Sequence, residues 1–101
     1  MTTLTPPENC QSMQALRAEI DALDRDLVEM LARRATYIDR AIELKQANGW
    51  PARIPDRVEE VVDKVCQTAK AQGLDPALTE TLWRQLIDWS ITREAQVIRA
   101  E

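Results

Sequence analysis

The sequence predicts an all-α fold of three helices, one long and two shorter, assembled as an intertwined homodimer. Three observations carry that expectation. Apolar residues recur at alternating steps of three and four along most of the chain, the spacing of a packed helix face. Composition agrees: 45% of residues are hydrophobic and 30% charged, with only 2 glycines and no phenylalanine. Finally, the first helical run is too long for the single globule that 101 residues build.

An N-terminal tail over residues 1–11, containing Pro6 and Pro7, precedes a helical domain over residues 12–101. The first helix runs from about Ser12 to about Asn48, where Asn48-Gly49-Trp50-Pro51 stops it. Its stripe is Leu16, Ile20, Leu23, Leu27 and Met30, the seam of a helix pair. Such a helix is roughly 50 Å long. A compact monomer of this size is only about 34 Å across, so a second copy is expected to cover the far end. The second helix begins after Pro55, buries Val58, Val61, Val62, Val65, Cys66 and Ala69, and ends at Gln72-Gly73. Asp75-Pro76, an N-cap followed by proline at the first helical position, opens the third. That helix presents Leu78, Leu82, Trp83, Leu86, Ile87, Trp89, Ile91, Val97 and Ile98 and is expected to run to the C-terminus.

Composition also excludes chemistry. The chain has no histidine, so neither a Ser-His or Cys-His nucleophile pair nor an imidazole metal ligand is available. A net charge of -4 argues against nucleic acid or an anionic membrane as partner. No apolar run approaches the roughly 20 residues of a membrane span. The first residues lack the basic and apolar regions of a secretory signal, so a cytoplasmic location is expected. Cys10 and Cys66 have no metal-ligand spacing and read as free thiols, Cys66 in a core position.

Polar residues interrupt the stripes at a few places. Arg34 and Lys45 are eleven positions apart, about 20° around the helix, and share a face with Leu31, Ile38 and Ile42. Ser90 and Glu94 lie one turn apart on or beside the apolar face of the third helix. Singly, each has a plain structural explanation: Arg34 as a register device, Lys45 as a snorkelling C-terminal cation, Glu94 as the partner of Arg93 or Lys45. Together they place two cations where core is expected, and one Glu neutralises only one of them. Arg17 stands about 25 Å along the axis from Arg34. It joins the same site only from another chain, as it does if the first helices of a dimer run antiparallel. Such a cavity fits a small polyanion, with guanidinium forks suited to carboxylates.

Leu16-Arg17-Ala-Glu-Ile20-Asp-Ala-Leu23-Asp24, Leu31-Ala-Arg33-Arg34, Lys45, Asp56-Arg57 and Ile87-Asp-Trp-Ser90-Ile91-Thr-Arg-Glu94 together resemble the all-helical (type II) chorismate mutases. The resemblance covers about residues 12–98 and implies an intertwined three-helix homodimer acting on chorismate without metal or cofactor. It implies that Arg17 of the partner chain and Arg34 grip the substrate carboxylates. Lys45 then donates to the ether oxygen, Arg57 adds positive charge beside the ring, and Ser90 lines the cavity. Glu94 stands where relatives carry Gln or Glu facing the same ether oxygen, and it donates there only when protonated.

The reaction so implied is the pericyclic conversion of chorismate to prephenate. Its carbon-oxygen bond breaks ahead of carbon-carbon bond formation, and negative charge builds on the ether oxygen. Fixed cations and orientation suffice for this, and no imidazole is needed. A relative on the same scaffold, isochorismate-pyruvate lyase, makes salicylate and pyruvate. Ile54 and Val58 stand where many bacterial mutases carry acids near the ring hydroxyl, as in the lyase; Glu94 stands where the lyase carries Gln. A mutase is therefore expected, with the lyase or a dual activity as the alternative. The non-enzymatic alternative is a helical dimerisation or anion-binding regulatory module.

Overall fold

The structure, a computed structural model, describes residues 4–101; the first three residues of the expected tail lie outside it. After a 3-10 turn over Pro7–Asn9 come three helices: α1 (Met13–Asn48), α2 (Pro55–Ala71) and α3 (Pro76–Glu94). No strand occurs among the described residues, so the predicted all-α class holds.

Local chemistry explains most of the boundaries. The Ser12 hydroxyl accepts from the Ala15 amide at 3.0 Å, satisfying one of the donors that open every helix. At the other end of α1 the Trp50 amide returns to the Lys45 carbonyl at 2.8 Å, and Gly49 adopts φ +72°, a left-handed exit that side chains disfavour. Helix α2 starts with Pro55 at its first position, where a missing N–H costs nothing, and has Asp56 in its first turn and Lys70 in its last. Gly73, at φ +75°, turns the chain out of α2. As the sequence predicts, Asp75 caps α3, its carboxylate accepting from the Ala77 amide at 2.9 Å.

The end of α3 differs from expectation. The helix stops at Glu94 rather than continuing to the C-terminus. The Val97 and Ile98 amides both return to the Glu94 carbonyl at 3.0 Å, closing a turn. Beyond it the Ala52 amide donates to the Arg99 carbonyl at 2.9 Å and the Arg53 amide to the Ala100 carbonyl at 2.8 Å. Those paired amides belong to the loop between α1 and α2, and the tail satisfies them in place of further helix. Val97, counted in the apolar arc from its spacing, ends up exposed, whereas Ile98 packs on the core.

The chain divides into two units, one ending at Tyr37 and the other comprising Ile38–Glu101. In the first, none of the described residues is buried, and the stripe residues Ile20, Leu23, Leu27 and Met30 are 40–57% exposed. The Thr5 amide donates to the Glu19 carboxylate at 3.3 Å. The second unit holds the core: Ala52, Val62, Ile87 and Ile91, with Val58, Val61, Cys66, Ala95 and Ile98 packed against them. Cys66, expected in the core, is half-buried and remains a free thiol, as does Cys10. On the surface of this unit Arg84 grips both carboxylate oxygens of Glu59 at 3.0 and 3.1 Å, tying α3 to α2. That hydrogen bonding holds the Glu59 carboxyl below its ordinary range and raises Arg84.

Candidate active site

The second unit brings Lys45 and Glu94 into direct contact, 49 positions apart in sequence. Lys45 lies in the last turn of α1, and its side chain is half-buried; Glu94 is the last residue of α3 and is only 4% exposed. The Lys45 ammonium donates to Glu94 Oε1 at 2.6 Å and to the Ala52 carbonyl at 2.8 Å. Withdrawing either charge from water costs several kcal/mol, about what a short charge-assisted hydrogen bond to the other offsets. An ammonium has three hydrogens, so two are committed to the protein and one remains to donate to something else. Of the two partners open to Glu94 on sequence, Lys45 is the one it takes.

Arg93, the other candidate partner of Glu94, pairs with Asp39 instead. Its guanidinium meets both Asp39 oxygens, at 2.6 and 3.1 Å, and lies 5.4 Å from the centre of the Trp89 ring. The hydrogen bond from Arg93 keeps the Asp39 carboxyl below its ordinary range, and Asp39 in turn raises Arg93. This fork fixes α3 against residues 38–48 of α1, the stretch that carries Lys45, and so sets the register in which Lys45 and Glu94 meet.

Ser90 is buried one turn before Glu94, and its hydroxyl donates to the Leu86 carbonyl at 2.8 Å. It sits on the same α3 face as Ile87, Ile91 and Glu94, all buried, as its spacing predicts. Arg57 is exposed and is held by Glu60 on its own helix, a carboxylate that Lys64 also approaches at 3.6 Å. Its side chain is thus engaged with α2 itself. Arg17 and Arg34 belong to the first unit, Arg17 exposed and Arg34 half-buried.

Two contributors escape sequence reasoning. The Ala52 carbonyl is a backbone group, and no side-chain pattern announces it. Asp39 pairs with a residue 54 positions away, a distance at which helical spacing carries no signal. The apolar positions Ile54 and Val58 are both half-buried, Val58 against the core. A cavity of about 220 Å³ in the same unit is lined by Val58 and Ile87 together with Arg53, Pro55, Glu59, Arg84 and Asp88. No helix among the described residues is long and apolar enough to cross a membrane.

Comparison with known proteins gives one family. Residues 16–95 match the model of chorismate mutase type II. The chain is 33% identical to an isochorismate pyruvate lyase of Pseudomonas aeruginosa over 94 residues, 92% of this chain and 91% of that one. It is 36% identical over 75 residues to a 4-amino-4-deoxychorismate mutase of Streptomyces venezuelae, 74% of this chain and 73% of that one. Identity to a T-protein of Enterobacter agglomerans is 32% over 82 residues; these are 81% of this chain and only 22% of that much longer relative. Because the matched residues 16–95 are most of its length, the chain belongs to the chorismate mutase type II family.

Proposed function

We propose that the protein is a chorismate mutase, rearranging chorismate to prephenate in a cationic cavity shared between two copies of the chain. The observation that carries this reading is the Lys45 ammonium, fixed by Glu94 and Ala52 with one donor left over. A donor already oriented needs no reorganisation as charge develops on the breaking ether bond, which is where preorganised electrostatics lowers a barrier most. Glu94 adds a second donor when protonated: its Oε1 accepts from Lys45 while the hydroxyl at its other oxygen points to the ether. Arg34 and the partner copy's Arg17 hold the two carboxylates in the compact conformer, Arg57 turns from Glu60 toward the ring, and Ser90 lines the wall.

The length and the exposed stripe of α1 support sharing between copies. Its 36 residues span about 54 Å, and its stripe of Ile20, Leu23, Leu27 and Met30 is exposed along the first unit. A second copy of the same helix covers that stripe.

Cleavage of isochorismate to salicylate and pyruvate is the second reading, favoured by the apolar Ile54 and Val58 and by the lyase relative that matches nearly end to end. Purified protein incubated side by side with chorismate and isochorismate separates the two. Prephenate from chorismate at the higher kcat/KM is the expected result. Salicylate at the higher efficiency transfers the site to lyase chemistry, and turnover of neither leaves only an anion-binding module.

A further inference from the structure

The C-terminal segment after α3 has a place in the site that no side chain of it reveals. Lys45 is held by two acceptors of different origin: the carboxylate of Glu94, and the carbonyl of Ala52 in the loop between α1 and α2. Ala52 in that loop is only 2% exposed. Its position is set by the tail: Ala52 and Arg53 donate their amides to the carbonyls of Arg99 and Ala100 at 2.9 and 2.8 Å. Ile98, packed against the same core as Ala52, anchors the tail just before these two acceptors. A continuous chain of hydrogen bonds thus runs from the tail backbone through Ala52 to the ammonium.

We propose that the backbone of Arg99 and Ala100 is a positioning element for Lys45, holding the Ala52 carbonyl where it aims the ammonium. The tail touches neither substrate nor reacting atoms and acts through the loop. Its effect on turnover rests on the mutase reading, but its effect on Lys45 does not. Small displacements of a catalytic donor are costly, so the tail controls kcat while leaving the arginines that bind the carboxylates untouched.

Three shortened chains test this. The chain ending at Ala100 keeps both acceptors, the chain ending at Arg99 loses one, and the chain ending at Ile98 loses both while keeping the core anchor. With chorismate, kcat is expected to fall by about 100-fold in the Ile98-terminated chain, with KM changed little, and to an intermediate extent in the Arg99-terminated one. Reductive methylation followed by peptide mapping supplies a readout independent of catalysis. Lys45 should react faster in the order in which acceptors are lost, whereas exposed Lys64 and Lys70 serve as constant internal references. If the Ile98-terminated chain does not melt cooperatively, the Arg99-terminated chain decides. Unchanged Lys45 reactivity in a folded chain lacking the acceptors overturns the proposal, as does equal loss in the Ala100-terminated chain. Should the unshortened chain turn over no substrate while the methylation order holds, the mutase reading fails and the positioning role stands.

Discussion

The two units of this chain use the same kind of residue to opposite ends. Both carry apolar stripes at helical spacing, yet in Ile38–Glu101 the stripes of α2 and α3 meet one another around Ala52, Val62, Ile87 and Ile91. In the unit ending at Tyr37 the stripe of Ile20, Leu23, Leu27 and Met30 buries nothing fully. Helical spacing therefore announces an apolar face, and says nothing about whether the same chain covers it. Charge also ties the second unit together: Lys45 meets Glu94, Arg84 meets Glu59 and Glu80, and Arg93 meets Asp39.

The comparison breaks most severely at the proposed shared site. Lys45→Ala and Arg17→Ala, one in each unit, should each remove activity, Lys45→Ala by about 100- to 1000-fold in kcat. Heterodimers of the two variants regain turnover, because one of their sites is then intact. Verified heterodimers with no activity would sink the idea that two copies build each site. Next in size are the packing changes. Ile87→Ala should destabilise the fold by about 2–5 kcal/mol in denaturant titrations. Replacing Leu23 and Leu27 by Asp should instead convert dimer to monomer in analytical ultracentrifugation, and a dimer that survives both replacements argues against that stripe as the interface.

A smaller effect comes from the Asp39–Arg93 fork. The folded-state pKa of Asp39 lies below the ordinary value of 3.8, so its contribution is present above that pH and is lost as pH falls through the lower folded value. Thermal melts from about pH 5 down to about pH 2.5 should therefore drop more steeply for the wild type than for Asp39→Asn. Parallel curves would mean that the fork adds nothing. Smallest is the cap of α3: Asp75→Ala should cost about 1 kcal/mol, and no loss would show that Pro76 and packing suffice to start the helix.

Much of the fold is legible because its punctuation is local. Ser12, Asn48-Gly49 and Asp75-Pro76 each act within a turn of themselves, and each marks a boundary within a residue or two. The Lys45–Glu94 pair is half-legible: spacing put both on apolar faces, and burial forced each to seek an opposite charge. What stayed hidden was of two kinds. Val97 and Ile98 continue the period of α3 faithfully, so only the competing bonds between the tail and residues 52 and 53 end that helix. The Ala52 carbonyl and the Asp39–Arg93 fork are the second kind, a backbone group and a pair 54 positions apart, neither of which helical spacing marks.

The link between α2 and α3 consists of only residues 72–75, and the core of the second unit is largely the contact between those two helices. Contacts so near in sequence lose little chain entropy on closing, so this pair is expected to fold fast, ahead of anything that requires a second molecule. Synthesis runs in the opposite order. The apolar stripe of residues 16–30 leaves the ribosome before its own α2–α3 pair exists and, on the proposed dimer, well before another finished copy arrives. Its charged neighbours, among them Glu19, Asp21, Asp24, Arg25 and Asp26, would then have a task in the nascent chain, keeping an uncovered apolar face in solution until the proposed second copy packs on it.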